Sequence, residues 1–145
     1  MKKLVGIWLD RQRATVVSLI KNEPFTNDMQ TVIENIESNV EPRLRLSGGS
    51  RSRKTPYGPQ DIAVDGKQES RTKQQMRLYF RNIIAVINDA KKIFIMGPGE
   101  TRGELKRSLE KNSQLGDRII KVEAADKMTQ NQIVAKVKNV YKAHL

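Results

Sequence analysis

Cysteine is absent from this 145-residue sequence, which excludes disulfides and thiolate metal sites and suits a reducing, cytoplasmic setting. Histidine occurs once, as His144 beside the last residue. A histidine-built metal centre is therefore excluded, as is a catalytic scheme that needs an internal imidazole. Aromatic residues make up only 5% of the chain, too few for a broad stacking surface. No apolar run approaches the roughly 18 residues of a membrane-spanning helix. The opening MKKLVGIWLD leads straight into a strand-like pattern rather than a targeting segment. Neither a cofactor nor a metal is called for by any motif.

What the chain does have is positive charge, +11 overall. Residues 1–40 carry five Lys/Arg and five Asp/Glu, a balance of zero, whereas residues 41–92 carry twelve against five, or +7. Residues 93–145 carry ten against six, or +4. Such a field attracts phosphate backbones and releases counterions on binding. The excess is densest in RLRLSGGSRSRKTPYGPQ, residues 43–60, with five cations (Arg43, Arg45, Arg51, Arg53, Lys54) and no acid. Gly48, Gly49, Pro56, Gly58 and Pro59 punctuate it, and few of its side chains are apolar, so packing does little to order it. The segment reads as a long basic loop, at about 40–66, that contacts a polyanion. It lacks the apolar partner face of an interfacial helix, which argues against a membrane surface.

The length fits one domain with a real core. Leu4, Val5, Ile7, Trp8 and Leu9 form a nearly continuous apolar run, the mark of a strand covered on both faces. After Asp10–Arg13 the pattern resumes over Ala14–Ile20, which predicts a hairpin. Residues 30–37 supply a third strand. From about Lys67 the period turns helical, and Met76, Phe80, Ile83, Ile84, Ile87 and Ala90 form a core stripe on a helix of some twenty residues. Arg71, Lys73, Arg77 and Arg81 lie off that stripe and extend the basic surface. Ile93–Met96 is a short buried strand, followed by a helix through about Lys111, a strand at Arg118–Val122 and a last helix. Thr129 and Gln132 have the capping-box spacing that opens that helix. The order β-β-β-loop-α-β-α-β-α implies an α/β fold, a mixed β-sheet with flanking helices.

The opening VGIWLDRQRATVVSL, the Gly48-Gly49 loop, the basic helix running into DAKKIFIMGPGETRGEL and the closing VEAADKMTQNQIV cover nearly the whole chain. In that order they resemble the central domain of the eukaryotic and archaeal class-1 peptide release factors and of Pelota. More closely, the chain is similar to small stand-alone bacterial and archaeal relatives of that domain, described as proteins of the translational machinery. The resemblance implies a ribonuclease H-like fold, and a ribosome, rRNA or tRNA partner. In the release factors a Gly-Gly-Gln tip enters the peptidyl-transferase centre and promotes hydrolysis of peptidyl-tRNA. Here the tip reads Gly48-Gly49-Ser50, and Gln60 lies eleven residues beyond Gly49. The resemblance therefore implies placement of the loop near RNA without the hydrolytic step, and no catalytic residue is assigned. The RNA-binding set is Arg43, Arg45, Gly48, Gly49, Arg51, Arg53, Lys54, Arg71, Lys73, Arg77 and Arg81.

Two other classes compete. A ribonuclease H-like fold can support a Mg-dependent nuclease, which needs clustered carboxylates including one on the first strand. Asp10 is the candidate, with Asp89, Glu100, Glu123 and Asp126 as conceivable partners. As a hairpin residue Asp10 needs no metal. A protein-interaction module is the other class, although Trp8 and the apolar stripes read most simply as core. Gly97-Pro98-Gly99-Glu100 is read as a tight strand-to-helix turn. It lacks the Gly-Lys-Ser/Thr ending of a phosphate loop, and Pro98 removes a donor.

Overall fold

The computed structural model describes residues 2–21, 29–40 and 58–144. Three strands open the chain: β1 (Lys2–Leu9), β2 (Arg13–Lys21) and β3 (Met29–Glu37). They form an antiparallel meander in which Gly6 faces Val17 and Val17 faces Ile33. The long helix α1 (Gly58–Ile87) crosses over to β4 (Lys92–Gly97), which pairs parallel with β1. Helix α2 (Thr101–Asn112) and a single 3-10 turn at Gly116–Arg118 lead to β5 (Ile119–Ala124), parallel to β4. Helix α3 (Gln130–His144) follows. The sheet order is β3-β2-β1-β4-β5. This is the mixed, helix-flanked sheet expected from the sequence, with the ribonuclease H-like arrangement of a meander extended by two parallel strands.

The apolar run of β1 is divided between two cores. Val5, Ile7 and Leu9 face α1 and α2, where Tyr79, Ile83, Ile87, Leu105 and Leu109 cover them. Leu4 and Trp8 face α3, against Ile133, Val137 and Tyr141. Alternation along a strand sends successive side chains to opposite faces, so a strand with helices on both sides must be apolar throughout. Gly6 lies on the α3 face. A Cβ there would come within 2.3 Å of the Val137 Cγ2, so the missing side chain lets α3 settle on the sheet. The Tyr141 hydroxyl donates to the Val5 carbonyl beneath the same helix, and burial pushes its phenol above the ordinary range.

Helix α1 begins earlier than the periodicity implies. Its first residue is Gly58 rather than one near Lys67, and it runs 30 residues rather than some twenty. The expected loop is correspondingly shorter, and Pro59 and Gln60 belong to the helix. Pro is tolerated in a first turn, where no intrahelical donor is needed. Asp61, Asp65 and Gly66 are weak helix formers, and no apolar stripe marks this part, so neither propensity nor period reveals it.

Ties at the far end of the sheet hold α1 in place. Lys3 Nζ donates to the Val86 carbonyl at 2.9 Å and to Asp89 Oδ1 at 2.8 Å. The hydrogen bond from Lys3 holds the Asp89 carboxyl below its usual range. Arg118 Nη1 donates to the Ala90 carbonyl at 2.8 Å. Arg118 lies in the 3-10 turn, one residue before β5, rather than opening the strand.

Candidate nucleic-acid interface

Seven of the eleven RNA-binding candidates, Arg43, Arg45, Gly48, Gly49, Arg51, Arg53 and Lys54, lie outside the described residues. The other four, on α1, are all exposed. Lys73, Arg77 and Arg81 stand at i, i+4 and i+8, so they form one row with about 6 Å between successive members. Arg71 is not part of it; at 100° per residue it sits about 120° around the helix from Arg77. Its flank carries Leu78, at 47% exposure the one large exposed apolar side chain among the described residues. None of the four cations has an acid within ion-pair distance among the described residues, where the pairs are Lys3–Asp89, Lys121–Glu123 and Lys136–Glu123.

The row runs along the border of the face by which the helix is anchored. Met76, Tyr79, Phe80 and Ile83 are buried there, and the Tyr79 and Phe80 rings stack with centroids 5.7 Å apart. The Tyr79 hydroxyl donates to the Asp10 carbonyl at 3.0 Å, and burial raises its pKa. Sequence reading missed Tyr79, although its spacing from Met76 and Ile83 is that of a core position. The Tyr79–Asp10 contact sets α1 against the end of β1. Gly58 is then about 30 Å further along the helix axis, so the amino-terminal part of α1 extends past the sheet. The chain also leaves β3 at this end, where the Ser38 N–H donates to the Gln12 carbonyl at 2.8 Å.

Asp10 is engaged as a hairpin residue. Its Oδ1 accepts the Gln12 N–H at 2.8 Å and the Arg13 N–H at 2.9 Å, closing the turn between β1 and β2. Asp89 is bound to Lys3 at the opposite end. Glu123 is held by Lys136 at 3.1 Å and Lys121 at 3.4 Å, and the Lys136 hydrogen bond lowers its pKa. Among the described residues no three His, Cys, Asp or Glu come together as a metal site. Asp10→Ala is expected to cost about 1 kcal/mol by leaving two turn donors without their acceptor. Asp10→Asn keeps Oδ1 and is expected to be nearly neutral, as chemical denaturation of both variants will show.

The Gly97–Glu100 turn is structural. A Cβ on Gly97 would lie 2.0 Å from the Leu9 carbonyl oxygen, so the ends of β1 and β4 meet only if that atom is absent. Arg102 Nη1 donates to the Gly97 carbonyl at 3.0 Å and also to the Gly99 carbonyl. Its guanidinium thereby ties the turn's oxygens together, a role the sequence reading did not foresee.

No protein-family model matches the sequence, and no curated protein does. Solved structures do share its outline. The chain is similar to Pelota of Archaeoglobus fulgidus, with 10% identity and a TM-score of 0.49 over 98% of this chain and 36% of that one. For Pelota of Thermoplasma acidophilum the values are 17% and 0.47, over 97% and 39%. An archaeal translation termination factor, aRF1, follows at 14% and 0.44, over 98% and 39%. These belong to the family that the sequence resembles. The chain spans between 36% and 39% of their lengths. At such identity and scores the likeness carries no argument about activity or partners. Among the described residues no helix is long and apolar enough to cross a membrane.

Proposed function

We propose that this chain is an RNA-binding protein of the translation machinery, acting on the ribosome or on tRNA without hydrolysing peptidyl-tRNA. The observation that carries the RNA reading is the exposed row Lys73, Arg77 and Arg81, free of acidic partners among the described residues. The row belongs to the segment holding +7 of the net charge, and a regular line of cations on a rigid helix suits a phosphate backbone. Arg43, Arg45, Arg51, Arg53 and Lys54, with the backbone at Gly48 and Gly49, are the proposed second half of the contact. Arg71 supplies a flanking charge. The ribosomal destination rests on the sequence resemblance alone. Ser50 stands where the release factors carry glutamine, which supports binding without hydrolysis.

Co-sedimentation of the full chain with ribosomes across a potassium chloride series tests the reading. Binding at low salt is expected, with log affinity falling linearly as log salt rises. Absence of binding to ribosomes and to tRNA at low salt would overturn it. Hydrolysis of peptidyl-tRNA on programmed ribosomes would overturn the non-hydrolytic part.

A further inference from the structure

A cleft of about 490 Å³ opens between the start of α3 and the turn end of β1, β2 and β3. It arises because α3 alone covers this side of the sheet, over Leu4, Trp8, Phe94 and Met96, and leaves a gap beside the ends of β2 and β3. Its size is that of a small-molecule site. The floor is buried: Trp8 and Ile133 are each 2% exposed and Thr15 is 7% exposed. Trp8 Nε1 donates to the Asp126 carbonyl at 3.1 Å, which fixes the wall carrying Lys127 and Met128. Thr15 Oγ1 donates to Asn35 Oδ1 at 2.9 Å. That bond turns the Asn35 amide so that its NH₂ group remains a donor. The next wall is set by the Thr129–Gln132 capping box, with the Gln132 N–H on Thr129 Oγ1 at 3.2 Å and the Thr129 N–H on Gln132 Oε1 at 2.9 Å.

The charge of the rim has one sign. Arg13 and Lys127 line the cleft and no carboxylate does. Neither cation has an ion-pair partner among the described residues. Glu37, the register partner of Arg13, is exposed and lies outside the lining. Two free cations over a floor of hydroxyl and amide groups match a ligand that joins phosphate to sugar hydroxyls. We propose that this cleft binds a phosphorylated small molecule of mononucleotide size, with Arg13 and Lys127 on the phosphate and Thr15, Asn35 and Gln130 on the sugar side. Trp8 is too deeply buried to act as a stacking plate, so the base is not the recognised part. The site is separate from the α1 row and does not depend on the RNA reading.

Trp8 is the sole tryptophan, so its fluorescence reports on the cleft. Titration of AMP into the full chain is expected to give a saturable emission change with a Kd on the order of 0.1 to 1 mM. Ribose 5-phosphate is expected to bind comparably, and adenosine at least tenfold more weakly. Combined Arg13→Ala and Lys127→Ala should weaken AMP at least tenfold with the unfolding midpoint unchanged, both side chains being exposed. Alanine at Lys73, Arg77 and Arg81 should leave it unaffected. A fall in unfolding midpoint for the Arg13/Lys127 pair is met with Arg13→Gln and Lys127→Gln, expected to show the same loss of AMP. The proposal is overturned by no saturable change, by equal binding of adenosine, or by AMP affinity unmoved in both pairs of variants.

Discussion

Changing Lys73, Arg77 and Arg81 together to Ala is expected to weaken RNA binding by about a hundredfold at 0.1 M salt. Each phosphate contact to a single strand contributes about 0.7 to the slope of log affinity against log salt, so three contacts contribute about 2. The slope should fall by that amount, and the two affinities should converge towards 1 M salt. Stability should not suffer. The three side chains are exposed and lack ion-pair partners among the described residues, and Ala is the best helix former. Arg71→Ala, off the row, is expected to have a much smaller effect. A filter-binding salt series on the unchanged chain and these two variants provides the check. An unchanged slope in the triple variant would remove α1 from the interface.

Gly97→Ala is expected to be the most destabilising small substitution in the described part of the molecule, at about 3 kcal/mol or more. The new methyl would meet the Leu9 carbonyl oxygen at 2.0 Å, and the residue has φ +154°, where L side chains are strained. Both strands carry buried side chains on both faces, so neither can move aside cheaply. For a chain of this size the loss corresponds to a fall in Tm of roughly 10 °C. Gly6→Ala offers a contrast, because its obstacle is the side chain of Val137 rather than backbone. Its cost, about 2 kcal/mol, should be partly relieved by Val137→Ala. No side-chain change should rescue Gly97→Ala. Thermal unfolding of the single and double variants separates the two cases.

Much of the fold was legible because its strongest signals are periodic. The unbroken apolar run of β1 implied cover on both faces, and α1 and α2 on one side with α3 on the other supply it. The stripe Met76, Phe80, Ile83, Ile87 located the packed half of α1, and the Thr129–Gln132 spacing located the start of α3. The first part of α1 was hidden because its sequence, with Asp61, Asp65 and Gly66, carries no apolar stripe to read. Tyr79 was overlooked for a related reason: its hydroxyl obscures an otherwise regular core position, and its partner is a backbone carbonyl 69 residues away.

Of the candidate interface, the sequence showed the identity and number of the cations, since charge is a property of composition. It did not show that Lys73, Arg77 and Arg81 form a row without Arg71, which follows from helical phase once the helix and its buried side are known. Asp10 was readable as a turn residue because its hydrogen bonds run to the next few residues. The Arg13–Lys127 cleft was not readable at all. Its walls come from β1, β2, β3 and the approach to α3, segments up to about 120 residues apart. The sequence alone determined the alternation of elements and the sign and density of charge, because both are local. Only the tertiary structure decided which charges share a surface and where a gap is left between α3 and the sheet, because distance in space depends on packing rather than on position in the chain.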